Sequence, residues 1–473
     1  MATSHDRGTS HQGAVPFAEV RNDDSLEHGA WYQGITRYQW LVLLIASLGW
    51  IFDVFEGQIF VASMNEAMPS LLPPESQGDV AFYNNITFAF FLLGGALGGV
   101  VFGVLSDRIG RKRTLTYTIL MYSLFTCVSA LSQEWWHFAG LRFLVAMGVG
   151  GEWAVASALV AEVFPKRARA WSLGIFHASS VLGTWLAIAA GALIIGNKEL
   201  GENAWRWGFV LGAVPALLII WIRWSVREPE SWQQAQAEAK TDLTRRMGRI
   251  SELFTDPQLR HRALLGVGLA TIGLATFWGT HIYGKDLFKK AAARQMGDSS
   301  ASFSPDQTRA IEASLKRQEM LGMFLVTTGG GLGLVAFGPL CERLGRRMAF
   351  LLFHVGGLAS ALVLFQGMDD APRGPLLVAL PIFGFLTLGM HAGYAIYFPE
   401  LFPTRLRGSG AGFCFNFGRL LAAPILFLGG WMQRQDGLAL SLEQTASLLS
   451  LLFAVGIVLL AFAPETKGQE LPQ

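Results

Sequence analysis

Apolar residues along this chain gather into long blocks separated by short polar runs, with little strict alternation. Such blocks start near Tyr38, Phe82, Thr114, Trp136, Ala170, Trp205, Ala263, Met320, Met348, Leu376, Arg407 and Ala446. A helix needs about 20 mainly apolar residues to cross a bilayer, because lipid offers no partner for backbone N–H and C=O groups. The pattern predicts an all-α membrane protein with twelve transmembrane helices.

The polar runs set the expected orientation, since short loops rich in Lys and Arg stay on the cytoplasmic side. Asp107 to Arg113 connects spans two and three, Lys166 to Arg169 spans four and five, Arg343 to Arg347 spans eight and nine, and Arg405 to Arg407 spans ten and eleven. Both termini are then cytoplasmic, in a multi-pass protein of the plasma (cell inner) membrane. Residues 287–317 are expected to form a long outer loop whose basic residues are offset by Asp and Glu. The first 36 residues lack the basic start, apolar core and cleavage site of a secretory signal, and are expected to be a flexible cytoplasmic tail.

The chain also repeats itself. Gly103 to Lys112 reads GVLSDRIGRK, and Gly338 to Arg347 reads GPLCERLGRR. Glu162 to Arg169 reads EVFPKRAR, and Glu400 to Arg407 reads ELFPTRLR. Each half closes on a Pro-Glu pair, at Pro229 with Glu230 and at Pro464 with Glu465. Two pseudo-symmetric six-helix bundles are expected, over residues 37–226 and 263–463. A cytoplasmic linker (227–262) joins them and a cytoplasmic tail (464–473) follows. Parallel repeats of this kind enclose a substrate site near the midplane and expose it to alternate sides by rocking.

Composition narrows the function. Hydrophobic residues make up 52% of the chain and charged ones only 15%, against the quarter charged expected of a soluble protein. A net charge of +2 gives no global case for nucleic-acid binding. Cys127, Cys341 and Cys414 lie in or beside apolar segments and read as small packing residues. There is no phosphate-binding Gly-Lys-Ser/Thr loop and no metal-ligand spacing of His or Cys, so neither an ATP-driven pump, an enzyme nor a cofactor is expected.

Ionisable groups in mid-membrane cost at least ~2.5 kcal/mol each and are functional candidates for that reason. Asp53 and Glu56 lie three residues apart on one helix face. Two carboxylates in a low-dielectric cavity repel, which leaves one of them poised to take up a proton. Asp53 is expected to carry the coupling proton, Glu56 to tune it or share it, and Glu152 to act as a relay or gate beside Gly148, Gly150 and Gly151. The plainer alternative is a static set satisfied by helix packing. Arg142 is either a substrate ligand or the partner of Asp53 or Glu56. His177 and His391, with Tyr394, are expected to line the cavity, against a packing role. In the basic loops, Asp107 is expected to cap a helix N-terminus of the opposite half. Arg108 or Arg111 is expected to meet Glu162, with Glu342, Arg346 and Glu400 as the counterpart set. Gly103, Gly110, Gly338, Arg343 and Arg405 complete this gating group.

The GVLSDRIGRK run and its second copy resemble the signature of the major facilitator superfamily over nearly the whole chain. Three further segments are similar to its proton-coupled organic-acid branch of sialate, monocarboxylate and aromatic-acid carriers. These are Gly49 to Glu56, Arg142 to Glu152, and Asn416 to Arg419. Glu56 stands where the aromatic-acid carriers have a second Asp, and Pro464 to Gly468 is similar to a sugar-porter ending. The resemblance implies a carrier, working as a monomer, that moves a small organic anion with protons, and it makes Arg419, beside Asn416, the substrate anchor. A planar guanidinium suits a carboxylate. A proton-coupled sugar or polyol carrier and a non-transporting membrane sensor are the alternatives.

Overall fold

The computed structural model describes residues 30–195, 203–242, 246–296, 305–433 and 438–473, and helix is the only regular structure among them. In chain order the first half contains α1 (Arg37–Leu71), α2 (Val80–Ile109), α3 (Arg111–Ser129), α4 (Trp135–Val163), α5 (Lys166–Ala178), α6 (Ser180–Ala190), α7 (Ala204–Val210) and α8 (Ala216–Ser225). Two short helices follow, α9 (Glu230–Thr241) and α10 (Glu252–Thr255). The second half contains α11 (Pro257–Gly279), α12 (Gly284–Met296), α13 (Pro305–Leu344), α14 (Arg346–Gly367), α15 (Arg373–Leu388), α16 (His391–Leu401), α17 (Arg407–Gln433), α18 (Leu442–Ser450) and α19 (Leu452–Leu460).

Ten helical stretches are long and apolar enough to span a bilayer, several of them assembled from two consecutive helices. The fifth span joins α5 to α6, and the tenth joins α15 to α16. Span three is α3, whose many polar residues keep it from standing out by hydropathy, and span eleven is α17; the two complete the twelve. In α3 the hydroxyls of Thr114, Thr116 and Thr118 donate to carbonyls of the preceding turn at 2.8–2.9 Å. That local bonding lets a Thr-rich helix sit inside a membrane protein.

Local chemistry fixes the ends. Thr36 and Gln39 form a reciprocal capping box at α1, as Ser441 and Gln444 do at α18. Asp256 accepts from the amides of Gln258 and Leu259 and starts α11 ahead of Pro257. Between α2 and α3, and again between α13 and α14, the chain turns through one residue: Gly110 at φ +109° and Gly345 at φ +91°. An L side chain is strained there, which explains the glycine in both copies of the loop signature.

The expected outer loop at 287–317 is largely absent. Described residues of that segment belong to α12 and the first turns of α13, with 297–304 outside the described residues. The basic residues of α12 are held by acids: Lys285 and Lys289 reach Glu319 at 2.8 and 3.3 Å, Lys290 pairs with Glu443, and Arg294 reaches Asp370 at 2.6 Å. Apolar Leu287, Phe288 and Ala291 pack this helix onto α13 and α15, which hydropathy over a charged segment conceals. The expected tail before residue 30 also lies outside the described residues.

The halves meet along α2 with α17 and α5 with α13. A Cβ at Gly103 would lie 2.7 Å from the Gly408 carbonyl oxygen, and one at Gly338 would lie 2.6 Å from that of Ala170. Both crossings depend on backbones in direct contact.

Candidate transport site

Asp53 and Glu56 leave α1 in different directions and meet different partners. Glu56 Oε1 lies 2.5 Å from Arg142 Nη1, and Arg142 Nη2 donates to Ser129 Oγ at 2.7 Å. The Arg142 guanidinium carbon sits 4.7, 5.6 and 5.8 Å from the ring centres of Phe209, Phe138 and Phe60. Acid and base are thus sealed together in an aromatic box. Of the roles open to Arg142, the structure contains the ion pair with Glu56, which engages Nη1 while Ser129 takes Nη2.

Asp53 is 2% exposed, and neither carboxylate oxygen has a hydrogen-bond partner among the described residues. Glu152 is in the same condition at 0% exposure. The charged groups that act on Asp53 are Glu152, Arg419 and Glu56. Glu152 reaches α1 from α4: a Cβ at Gly49 would lie only 2.0 Å from its Oε1, so the glycine one turn before Asp53 makes room for this carboxylate.

Arg419 comes from α17, in the opposite half. It is half-buried, its guanidinium carbon 5.3 Å from the Phe415 ring centre, and its Nη1 reaches α2 so closely that a Cβ at Gly95 would be 2.8 Å away. Asp53 is the acid that acts on it. Asn416 donates from Nδ2 to the carbonyls of Gly150 and Gly412 at 3.2 and 3.1 Å, while its Oδ1 stays buried and unpaired among the described residues. Phe415 stacks on Trp153 of α4 with ring centres 4.1 Å apart. Two acids of one half therefore face a cation and an amide of the other, beside a shared aromatic wall.

His177, His391 and Tyr394 support that wall. His177 Nδ1 accepts from Trp153 Nε1 at 3.2 Å. His391 Nε2 lies 3.2 Å from the Gly273 carbonyl, and the Tyr394 hydroxyl donates to the Leu269 carbonyl at 3.0 Å. All three are buried with polar atoms engaged on neighbouring helices.

At the end that bears the basic loops the halves are tied together. Asp107 Oδ1 accepts from the Gly408 amide at 3.0 Å, and its Oδ2 from the amide and hydroxyl of Ser409 at 2.8 and 2.6 Å. Asp107 thus sits on the N-terminus of α17. Glu162 Oε1 binds Arg111 at 2.8 Å within its own half and Arg407 at 2.6 Å across the interface. The counterpart set is Arg346 with Glu400 at 2.7 Å and Glu342 at 3.3 Å. Arg108 and Arg343 point outward. Arg405 instead holds α10 through Glu252 at 2.7 Å. The carbonyl of Pro472 accepts from Arg407 Nη2 at 2.8 Å, so the C-terminal segment packs against the same cross-interface arginine.

The Pro-Glu pairs differ from their simple alignment. Glu465 accepts from the amides of Arg346 and Arg347 at 2.9 and 3.1 Å. In the first half the matching contacts, to the amides of Arg111 and Lys112 at 2.7 and 3.2 Å, come from Glu228, before the proline. Burial alone would push the Glu465 carboxyl up; amide bonds from Arg346, Lys467 and Arg347 outweigh it and hold the group below its ordinary value.

Ser129, Ser409, Arg407 and Tyr122 also belong to these groups and were not singled out by sequence. Arg407 alone carried a signal, as the last residue of the repeated ELFPTRLR run.

The model for the Major Facilitator Superfamily matches residues 54–426, which include every one of these intramembrane charges except Asp53. The chain belongs to this superfamily. As a superfamily member it is a non-enzymatic transporter built for small molecules. It is 29% identical to the "Probable 4-methylmuconolactone transporter" of Cupriavidus pinatubonensis, over 93% of this chain and 94% of that one. It is 30% identical to the "Cis,cis-muconate transport protein" of Acinetobacter baylyi, over 71% and 75%. It is 32% identical to the "Inner membrane metabolite transport protein YgcS" of Escherichia coli, over 80% and 82%. In fold this facilitator is similar to the proton:xylose symporter XylE bound to 6-bromo-6-deoxy-D-glucose, with a TM-score of 0.72 at 16% identity over 92% and 98% of the two chains.

Proposed function

We propose that this facilitator is a proton symporter for small organic anions, working as a monomer by alternating access with both termini in the cytoplasm. The observation that carries the reading is a buried Asp53, without a hydrogen-bond donor among the described residues, within electrostatic reach of Arg419 of the opposite half. A carboxyl without hydrogen bonds can change protonation without breaking any. A proton on Asp53 frees Arg419 to take a substrate carboxylate in two contacts. Release of the substrate lets ionised Asp53 turn back to Arg419, and the two ligands are thereby linked. Asn416 Oδ1 offers a further polar contact to the bound solute. Glu56 contributes as the neutralised partner of Arg142, and Glu152 as a second proton site.

Gating falls to the face with the basic loops. Asp107, Arg111, Glu162 and Arg407 hold that face shut, and their bonds must break for the site to open there. A cationic centre favours anions over sugars, and likeness to sugar symporters extends only to the fold. The acids named for the muconate-type relatives support the same substrate class.

Proteoliposomes with an inside-alkaline gradient test the proposal. Labelled cis,cis-muconate, sialate and xylose are offered in turn, with external pH recorded. Accumulation of a carboxylate with alkalinisation of the medium is the expected result. Accumulation of the sugar alone, or carboxylate uptake without proton movement, would contradict it.

A further inference from the structure

Tyr122 stands among the acids of the first half without an assigned task. It is 0% exposed on α3, and its hydroxyl makes no hydrogen bond of ordinary geometry among the described residues. The groups acting on that hydroxyl are Glu152, Asp53 and Glu56, in that order. A Cβ at Gly148 would lie 2.9 Å from the Tyr122 amide nitrogen and 3.0 Å from its Cβ, so α3 lies directly on α4 one turn before Glu152. Four carboxylate oxygens and one phenol, all buried and none in a hydrogen bond of ordinary geometry among the described residues, therefore share the junction of α1, α3 and α4, with the phenol beside Glu152. Buried polar atoms in native proteins are normally bonded, and a group of orphans marks a site that a proton or water occupies during work.

We infer that Tyr122 is the proton relay between Asp53 and Glu152, an inference that rests on the proton-coupled reading. In the transfer, the Asp53 carboxylic O–H bond breaks and its proton moves to Tyr122 Oη. The phenolic O–H breaks in the same step, and that proton bonds a Glu152 carboxylate oxygen. Asp53 ends as a carboxylate beside Arg419, Glu152 as the neutral acid, and the phenol is regenerated. No charge is left on Tyr122 at any point. The charged groups facing this junction are Asp53 and Glu56 from α1, Glu152 and Arg142 from α4, and Arg419 from α17. Glu56 is closed off by Arg142. Arg206 of α7 bonds the carbonyls of Ala130 and Ser132, beyond the end of α3.

Tyr122→Phe deletes only the hydroxyl. The loss removes at most one contact, that of the hydroxyl with the Glu152 carboxylate, so the melting temperature in detergent should fall only slightly. Uptake driven by the pH gradient is expected to fall on the order of 100-fold, with its pH dependence flattened, the low end of what a positioned proton-transfer group supplies. Substrate counterflow at equal pH should persist. Wild-type uptake with a wild-type pH profile in Tyr122→Phe would overturn the relay, as would loss of counterflow with a lowered melting temperature, which marks a packing role. Parallel recording of medium alkalinisation by the wild-type protein separates the two readings. If the wild type moves no protons, the symport proposal fails first.

Discussion

Ser409 binds Asp107 twice across the interface of the two halves, through its amide at 2.8 Å and its hydroxyl at 2.6 Å. The contact joins the end of α2 to the start of α17 where Gly103 and Gly408 let the backbones touch. Ser409→Ala removes one hydrogen bond to a charged group, about 1.5–3 kcal/mol in favour of opening. Cysteines placed on the basic-loop face should then react faster with an impermeant thiol reagent, and Asp107→Asn should act in the same direction. Unchanged labelling would show that this contact does not hold the face shut.

Glu162 balances two buried arginines, and removing it leaves both uncompensated. Glu162→Gln should destabilise the protein in detergent by ~3–5 kcal/mol, as expected when one partner of a buried pair is lost. Arg407→Lys should be milder, since the ammonium keeps the charge but loses the bonds to the carbonyls of Pro399 and Pro472. Thermal melting of the two variants side by side checks the order.

The sealed pair of Glu56 and Arg142 calls for a double-mutant cycle. Arg142→Met and Glu56→Gln alone should each lower the melting temperature, at a cost of about 3–5 kcal/mol. The combination should recover much of the loss, because no lone charge remains in the aromatic box. Additive losses would mean that the two do not act as a pair.

Glu465 gives a pH signature. Its folded-state value is depressed, so its contribution is present above the ordinary Glu value of about 4.3 and disappears as pH falls through the lower, folded-state value. Glu465→Gln should therefore be less stable than wild type near neutral pH, with the gap closing in acid. A gap independent of pH would exclude the charge on Glu465 as its source.

Much of this was readable from the chain because a membrane imposes strong rules. Twelve apolar blocks, the doubled GVLSDRIGRK run and the rarity of intramembrane charge bring Asp53, Glu56, Arg142, Glu152 and Arg419 forward without a structure. Which acid pairs with which base was not readable. Asp53 and Glu56 share a helix face by spacing, yet a small difference in direction gives one an arginine and leaves the other bare. Ser129 was hidden because a serine hydroxyl in a helix ordinarily bonds its own backbone, as this one does to the Phe125 carbonyl at 2.7 Å, and Tyr122 because a tyrosine in a span reads as a packing or interface ring. The helical segment α12 was hidden because its charges are neutralised by residues distant in sequence, Glu443 and Asp370 among them.

Arg419→Lys should raise the KM for carboxylate uptake while leaving the maximal rate less affected, because an ammonium cannot copy the two parallel bonds of a guanidinium. Concentration dependence of uptake in proteoliposomes separates these terms, and an unaltered KM would remove Arg419 as the anchor.

The most direct trial of proton coupling is Asp53→Asn, assayed for gradient-driven uptake and for counterflow in the same vesicles. Driven accumulation should vanish while exchange of labelled for unlabelled carboxylate continues. Accumulation at the wild-type level in Asp53→Asn would contradict the account.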